Sequence, residues 1–322
     1  MDLIKTERME WGSARILAPV DKVEEVEALV RAGAHELYGG VQPNEWRARS
    51  LSANQRSFAS AQFPSEEAFA EAASEARRLS VPLHLALNAP LYDPIAYGPL
   101  LALAERAARW GAAGVIAADL GLLARLAEAA LPFGVTLSTM AGAMNRSALQ
   151  LFKRFGIRRV VLPRHLTLGE MASVVSAHPD LAFEAFVLVG RCPNEEAYCT
   201  FQHTNPAKRW PCEIPYALSD TAGDPLPVDH PLARWWEEWN RADRRMACGL
   251  CGLSELARIG VSYLKIVGRG AATASKVKDV QWIAEFTGRN PPNFAAREAY
   301  AERFGRPCHR LTCYFPELYP SG

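Results

Sequence analysis

Eight short β-branched or apolar runs, at about residues 15–19, 34–38, 82–88, 113–117, 134–138, 159–163, 183–188 and 261–267, punctuate the 322-residue chain. Most are separated by segments with helical spacing, which points to parallel strands, each reached through a crossover helix. Eight is the number that closes such a sheet on itself. The spacing therefore predicts an α/β fold, a TIM-like (β/α)8 barrel, in preference to an open doubly wound sheet. Between the first two runs Val23, Val26, Leu29 and Val30 share one helical face, and Gly33 ends the helix. Further helices are predicted over 66–79, 96–110, 120–131, 145–155 and 167–177. In the last of these Thr167 and Glu170 have capping-box spacing.

Two connections are too long to be turns. Residues 39–65 follow the second run, and residues 189–260 follow the seventh and carry five of the seven cysteines, with a helix expected near 253–259. Both leave the carboxyl ends of strands, where barrel enzymes place their chemistry. The expected organisation is a barrel over residues 1–287, whose insertion 189–260 carries the metal ligands, and a C-terminal tail, 288–322, that packs on it.

With 36 basic and 35 acidic side chains the net charge is +1. That balance gathers no polyanion, which argues against nucleic acid and for a small-molecule substrate. Residues 1–8 are charged where a signal peptide needs an apolar run, and no stretch approaches the roughly 18 apolar residues of a membrane span. A cytoplasmic protein without a membrane span is expected. Seven cysteines, an odd number without an export signal, favour reduced thiols and metal binding over a disulfide framework.

Cys192, Cys199, Cys212 and Cys248 are the candidate metal ligands. Structural zinc usually takes two tight C-x2-4-C pairs, and this insertion offers one, Cys248 with Cys251. Widely spaced single cysteines suit a cubane, so a 4Fe-4S cluster is expected, with zinc as the alternative. Cys251 is an alternative fourth ligand. Cys308 and Cys313 read as small buried hydrophobes, or as partners of Cys251 and His309 in a second metal site.

At the strand ends, Arg164 and Arg269 could clamp a dicarboxylate with their planar forks of donors, unless they serve in rim salt bridges. Arg269 precedes helix-like sequence whose first amides could bind an anion. His165 is a candidate proton donor or acceptor, and Tyr38 and Asn88 are candidates to orient a substrate, with structural hydrogen bonding as the alternative for each. Trp235, Trp236 and Trp239 share a helical face suited to packing, to shielding a metal or to docking a partner. Protease motifs are absent: there is no His-Glu-x-x-His and no Gly-x-Ser-x-Gly, and Ser138 and Thr139 lack a recognisable base.

Several segments together resemble the collagenase-like peptidase family U32. They are Gly33-Ala34-His35-Glu36-Leu37-Tyr38-Gly39-Gly40, Leu137-Ser138-Thr139-Met140 with Asn145, Val161-Leu162-Pro163-Arg164-His165-Leu166, the stretch from Phe186 to Cys192, Trp210-Pro211-Cys212-Glu213-Ile214-Pro215-Tyr216, and Gly260 to Arg269. Cys248 stands 17 residues before Lys265, where the family has its fourth cluster ligand. The resemblance covers about residues 15–285 and implies a barrel-like fold with a 4Fe-4S cluster on Cys192, Cys199, Cys212 and Cys248. It is closest to the UbiU/UbiV-like branch of oxygen-independent hydroxylases, which implies a prephenate-type oxygen donor, a small aromatic or quinone-precursor substrate, a role in ubiquinone biosynthesis and a related U32-family partner subunit. Alternatives within the resemblance are a non-catalytic cluster-bearing subunit, an RNA hydroxylase and a peptidase. His165, Val267, Met140 and Leu188 stand where the family usually has Glu, Glu, Gln and His, so the substrate is less firmly implied than the cluster.

Overall fold

The computed structural model describes residues 14–46, 52–56, 58–192, 195–199, 217–287 and 293–319. Eight strands form a closed parallel barrel in chain order: β1 (Arg15–Pro19), β2 (Glu36–Gly39), β3 (Leu83–Leu87), β4 (Gly114–Ala117), β5 (Gly134–Leu137), β6 (Ile157–Val161), β7 (Ala182–Leu188) and β8 (Tyr263–Ile266). β8 pairs back onto β1 in the register Ile16 with Leu264. Each predicted strand is present within two or three residues of its expected bounds.

The crossover helices α1 (Glu25–Arg31), α2 (Glu66–Arg78), α3 (Tyr97–Trp110), α4 (Leu120–Ala129), α5 (Arg146–Phe152) and α6 (Leu168–Ala177) follow β1 to β6 in turn. The predicted helix 145–155 tightens after Phe152 into a 3-10 turn over Lys153–Phe155, which Gly156 closes at φ 69°. Thr167 and Glu170 complete their capping box. α7 (Pro231–Arg241) and α8 (Leu253–Ile259) lie in the long insertion, and α9 (Thr273–Thr287) and α10 (Asn293–Phe304) follow β8. No helix of the described residues is long and apolar enough to cross a membrane.

Alternation along the strands gives the barrel two separate interiors. One set of side chains, including Ile16, Leu37, Leu85, Val115 and Leu264, faces the helices and forms the main core. The other set faces inward. Leu17, Tyr38 and Ile116 form a small apolar layer there. Beside it lies a charged layer: Glu36 pairs with His84 at 2.9 Å and with Arg159 at 2.6 Å, Arg159 reaches Glu184 at 3.3 Å, and Lys265 meets Glu184 at 2.8 Å. Glu36, Glu184 and Lys265 are buried.

Burial alone would raise the Glu36 pKa, but hydrogen bonds from His84 and Arg159 outweigh it and hold the pKa at about 2. A depressed carboxylate pKa stabilises the fold above the ordinary value of 4.5, and that contribution is lost as the pH falls toward about 2. Urea unfolding should therefore show the wild type losing on the order of 2–3 kcal/mol more than Glu36→Gln over that interval. Parallel pH profiles for the two proteins would contradict the assignment.

Candidate active site at the barrel mouth

Three arginines converge above the apolar layer. The Tyr38 ring end lies within electrostatic reach of Arg269, Arg56 and Arg164, although burial dominates the Tyr38 hydroxyl and pushes its pKa up to about 12. Arg269 follows β8, Arg164 follows β6, and Arg56 comes from the β2–α2 connection. Sequence reading identified Arg164 and Arg269 but passed over Arg56, which sits in a stretch without helical or strand periodicity.

The three differ in how their charge is met. Arg164 is ion-paired with Glu196 at 3.0 Å, donates to the Gly190 carbonyl and stacks 3.9 Å from the Phe186 ring centre. Its role is thus at least partly the structural one weighed from the sequence. Arg269 is 5% exposed and donates to Asn54 Oδ1 at 3.0 Å, and burial lowers its pKa to about 10. Arg56 donates to the Arg269 carbonyl at 3.3 Å, and burial lowers its pKa too. Among the described residues neither Arg56 nor Arg269 makes an ion pair. Burying a guanidinium without an ion pair is costly, and Asp21 acts on both arginines, and Glu196 on Arg56, only at longer range.

The surrounding loop is built to hold Arg269 in place. Asn54 and Gln62 exchange side-chain hydrogen bonds at 2.9 and 2.8 Å, and Asn54 then presents its oxygen to Arg269. Gly40 makes the room: a Cβ there would lie 2.4 Å from Arg269 Nη1, 2.7 Å from Asn54 Nδ2 and 2.8 Å from Gln62 Oε1. The expectation that an anion would use amides before α9 is not met at Gly270, whose N–H donates to Asp21 Oδ2 at 2.6 Å. Asp21 and Glu25 are in turn tied to Lys276 of α9, which fixes the turn that carries Arg269.

The other candidates are positioned as follows. Tyr38 donates its hydroxyl to the Ile266 carbonyl at 2.9 Å, and Lys265 Nζ lies 4.2 Å from its ring centre. Asn88 Oδ1 accepts from the Gln55 amide at 3.4 Å, holding the long loop over the mouth. His165 is exposed, within electrostatic reach of Glu195. Thr139 donates to Glu196 at 3.0 Å, and Ser138 caps the following turn through the Met140 amide. Glu196 is also bound to Arg164, so among the described residues neither hydroxyl stands opposite a free base.

Of the four expected ligands, Cys192 lies within electrostatic reach of Arg164, and Cys199 Sγ lies 3.9 Å from Gln55 Nε2. Both are therefore near the mouth. Cys212 falls outside the described residues. Cys248 instead lines a separate cavity with Cys251, Cys308 and Cys313. Among the described residues no three His, Cys, Asp or Glu side chains stand at single-ion spacing. Trp239 is buried and stacks 5.9 Å from Trp235, which is 46% exposed, so the tryptophan face is only partly packed.

The family model of peptidase family U32 matches residues 21–286, which runs from just after β1 through β2 to β8 and the long insertion to the last turn of α9. The chain belongs to peptidase family U32. Similar curated proteins include tRNA hydroxylation protein P of Haemophilus influenzae, 27% identical over 129 residues, covering 36% of this chain and 28% of that protein. A collagenase of Porphyromonas gingivalis is 28% identical over 167 residues, covering 52% of this chain and 37% of that protein. This U32 chain therefore spans well under half the length of each of these relatives. The solved structure of the U32 peptidase Mk0906 superposes with a TM-score of 0.51 at 12% identity, covering 83% of this chain and 97% of that one, which supports the shared barrel.

The packing at Gly40 carries a prediction. Gly40→Ala must displace Arg269, Asn54 or Gln62, and its unfolding free energy should fall by about 1–3 kcal/mol. Gly98→Ala, where nothing lies within 4 Å of the added Cβ, should be neutral or slightly stabilising. Equal stabilities for the two variants in denaturant titrations would contradict the close approach.

Proposed function

We propose that this U32-family protein is an oxygen-independent hydroxylase-type enzyme that binds a carboxylate-bearing, prephenate-type donor at Arg56 and Arg269. The observation that carries this reading is the pair of mouth guanidiniums without carboxylate partners among the described residues, set in a rigid frame of Asn54, Gln62 and Gly40. A planar dianion would supply the missing charge to both forks. Arg164, held by Glu196, would form one wall, and the Tyr38 ring with Leu17 and Ile116 would give the acceptor an apolar floor.

The family resemblance implies an iron–sulfur cluster in this enzyme, with Cys192, Cys199, Cys212 and Cys248 as its ligands. Such a cluster would supply one-electron transfer at the mouth. The positions of Cys192 and Cys199 support that location. The acceptor of this reading is a small aromatic or quinone-precursor ring. Relatives named tRNA hydroxylation protein P favour a second reading, in which the acceptor is an RNA base. A related U32-family partner subunit belongs to the proposal as well, supported by the exposed apolar residues Val228, Leu232 and Trp235 on and before α7.

The test is single-turnover hydroxylation under anaerobic conditions, with the donor labelled in its transferable oxygen and with quinone-precursor and RNA acceptors supplied in parallel. Label should enter one acceptor, and Arg269→Gln or Arg56→Gln should lower its yield about 10- to 100-fold, as expected for loss of a charge-assisted hydrogen bond. Arg258→Gln, on the exposed face of α8, should leave it unchanged. Transfer to neither acceptor in the presence of the donor would overturn the reading.

A further inference from the structure

Three segments meet in a small ladder at the carboxyl end of β7. Leu188 pairs antiparallel with Cys248, and Cys248 pairs in parallel with Cys313 of the tail. The Val189 N–H donates to the Ala247 carbonyl at 2.8 Å, the Gly249 N–H to the Val187 carbonyl at 2.8 Å, and the Tyr314 N–H to the Cys248 carbonyl at 2.9 Å. Phe315 anchors the tail here, because Gly249 and Gly252 leave it room: a Cβ at Gly249 would lie 2.8 Å from its ring, and one at Gly252 closer still. Tyr314 is thereby buried, and its hydroxyl reaches back across the ladder to the end of β7. This part of the tail lies beyond residues 21–286, which the family model matches.

The backbone is strained where that hydroxyl arrives. Val189 at φ 65° and Gly190 at φ 68° are consecutive left-handed residues. Glycine enters that region freely, whereas a β-branched side chain there is an outlier, and among the described non-glycine residues at positive φ Val189 alone is β-branched. Such a conformer persists only where its surroundings hold it. The Tyr314 hydroxyl supplies a hold by donating to the Val189 carbonyl at 2.6 Å. What the turn presents is directed at the mouth: the Gly190 carbonyl accepts from Arg164 Nη1. Tyr314 itself lies within electrostatic reach of Arg164 and Glu196, and Arg164 lies within reach of Arg56.

We infer that Tyr314 is a positioning residue of the mouth: its hydroxyl holds Val189 and Gly190 in the left-handed turn whose carbonyl fixes the Arg164 guanidinium. The hydrogen bond offsets the strain that the Val189 side chain creates, so the tail hydroxyl and the valine act as a unit. Glycine needs no such hold, and the hydroxyl should therefore matter only while residue 189 carries its side chain. A tyrosine that merely anchored the tail would act alike whichever residue stood at 189. The effect on ligand affinity rests on the anion site proposed above, whereas the hold on Val189 is a property of the fold.

The experiment compares the full chain as wild type, Tyr314→Phe, Val189→Gly and the double variant, each well below its unfolding midpoint. Prephenate is titrated calorimetrically, and native-state hydrogen exchange of the residue 189 amide is followed in parallel. With Val189 in place, Tyr314→Phe should weaken prephenate binding about 3- to 10-fold and speed that exchange by a similar factor, the range for one hydrogen bond. In the Val189→Gly background the same substitution should change each by less than about 2-fold, the mark of coupled residues. Equal losses in the two backgrounds, unchanged exchange in Tyr314→Phe, or unchanged affinity in that variant of a protein that binds prephenate would each overturn the inference. A wild type that binds no prephenate would overturn the anion site instead, and exchange at residue 189 then decides the role of Tyr314 alone.

Discussion

Closing eight parallel strands into a barrel removes its interior from water, so every charge placed there needs a partner on the facing strands. Glu36, His84, Arg159, Glu184 and Lys265 meet that requirement across β2, β3, β6, β7 and β8, linking strands far apart around the cylinder. With both carboxylates engaged by Arg159 and Lys265, the inner layer is close to internally balanced. The apolar step of Leu17, Tyr38 and Ile116 follows, and above it Arg56 and Arg269 make no ion pair among the described residues. The same low dielectric that makes the lower network cohesive is the basis for the anion site proposed at the upper cations.

Rigidity at the mouth comes from contacts outside the chemistry. Asp21 and Glu25, at the start of α1, grip Lys276 of α9 and the Gly270 amide, so β1 and β8 present Arg269 from a fixed turn. Glu196 performs the matching task on the opposite side by joining Thr139 after β5 to Arg164 after β6. That carboxylate is the reason Thr139 is a structural hydroxyl.

Strand count, strand order and the crossover helices were legible in the sequence, because alternation and helical spacing are local and repeat eight times. Gly33 and the Thr167–Glu170 box were legible for the same reason. The inward charges were not: Arg159 and Glu184 meet through the pairing of β6 with β7, and only closure of the barrel brings Glu36 of β2 to Arg159. Arg164 and Arg269 stand directly after strands and could be placed at the mouth, whereas Arg56 arrives through a loop whose path no periodicity encodes. The cysteines divide likewise. Cys248 could be placed by its distance from Lys265, but its pairing with Cys313 depends on how the tail folds back, which no local pattern records.

The most direct test of the anion site is calorimetric titration with prephenate and with its neutral diamide, at low and high salt. The account predicts one binding site for the dianion, markedly tighter than for the diamide, weakened by salt and removed in an Arg56→Gln/Arg269→Gln protein that retains the wild-type unfolding midpoint. Equal binding of dianion and diamide, or undiminished dianion binding in that double variant, would contradict it.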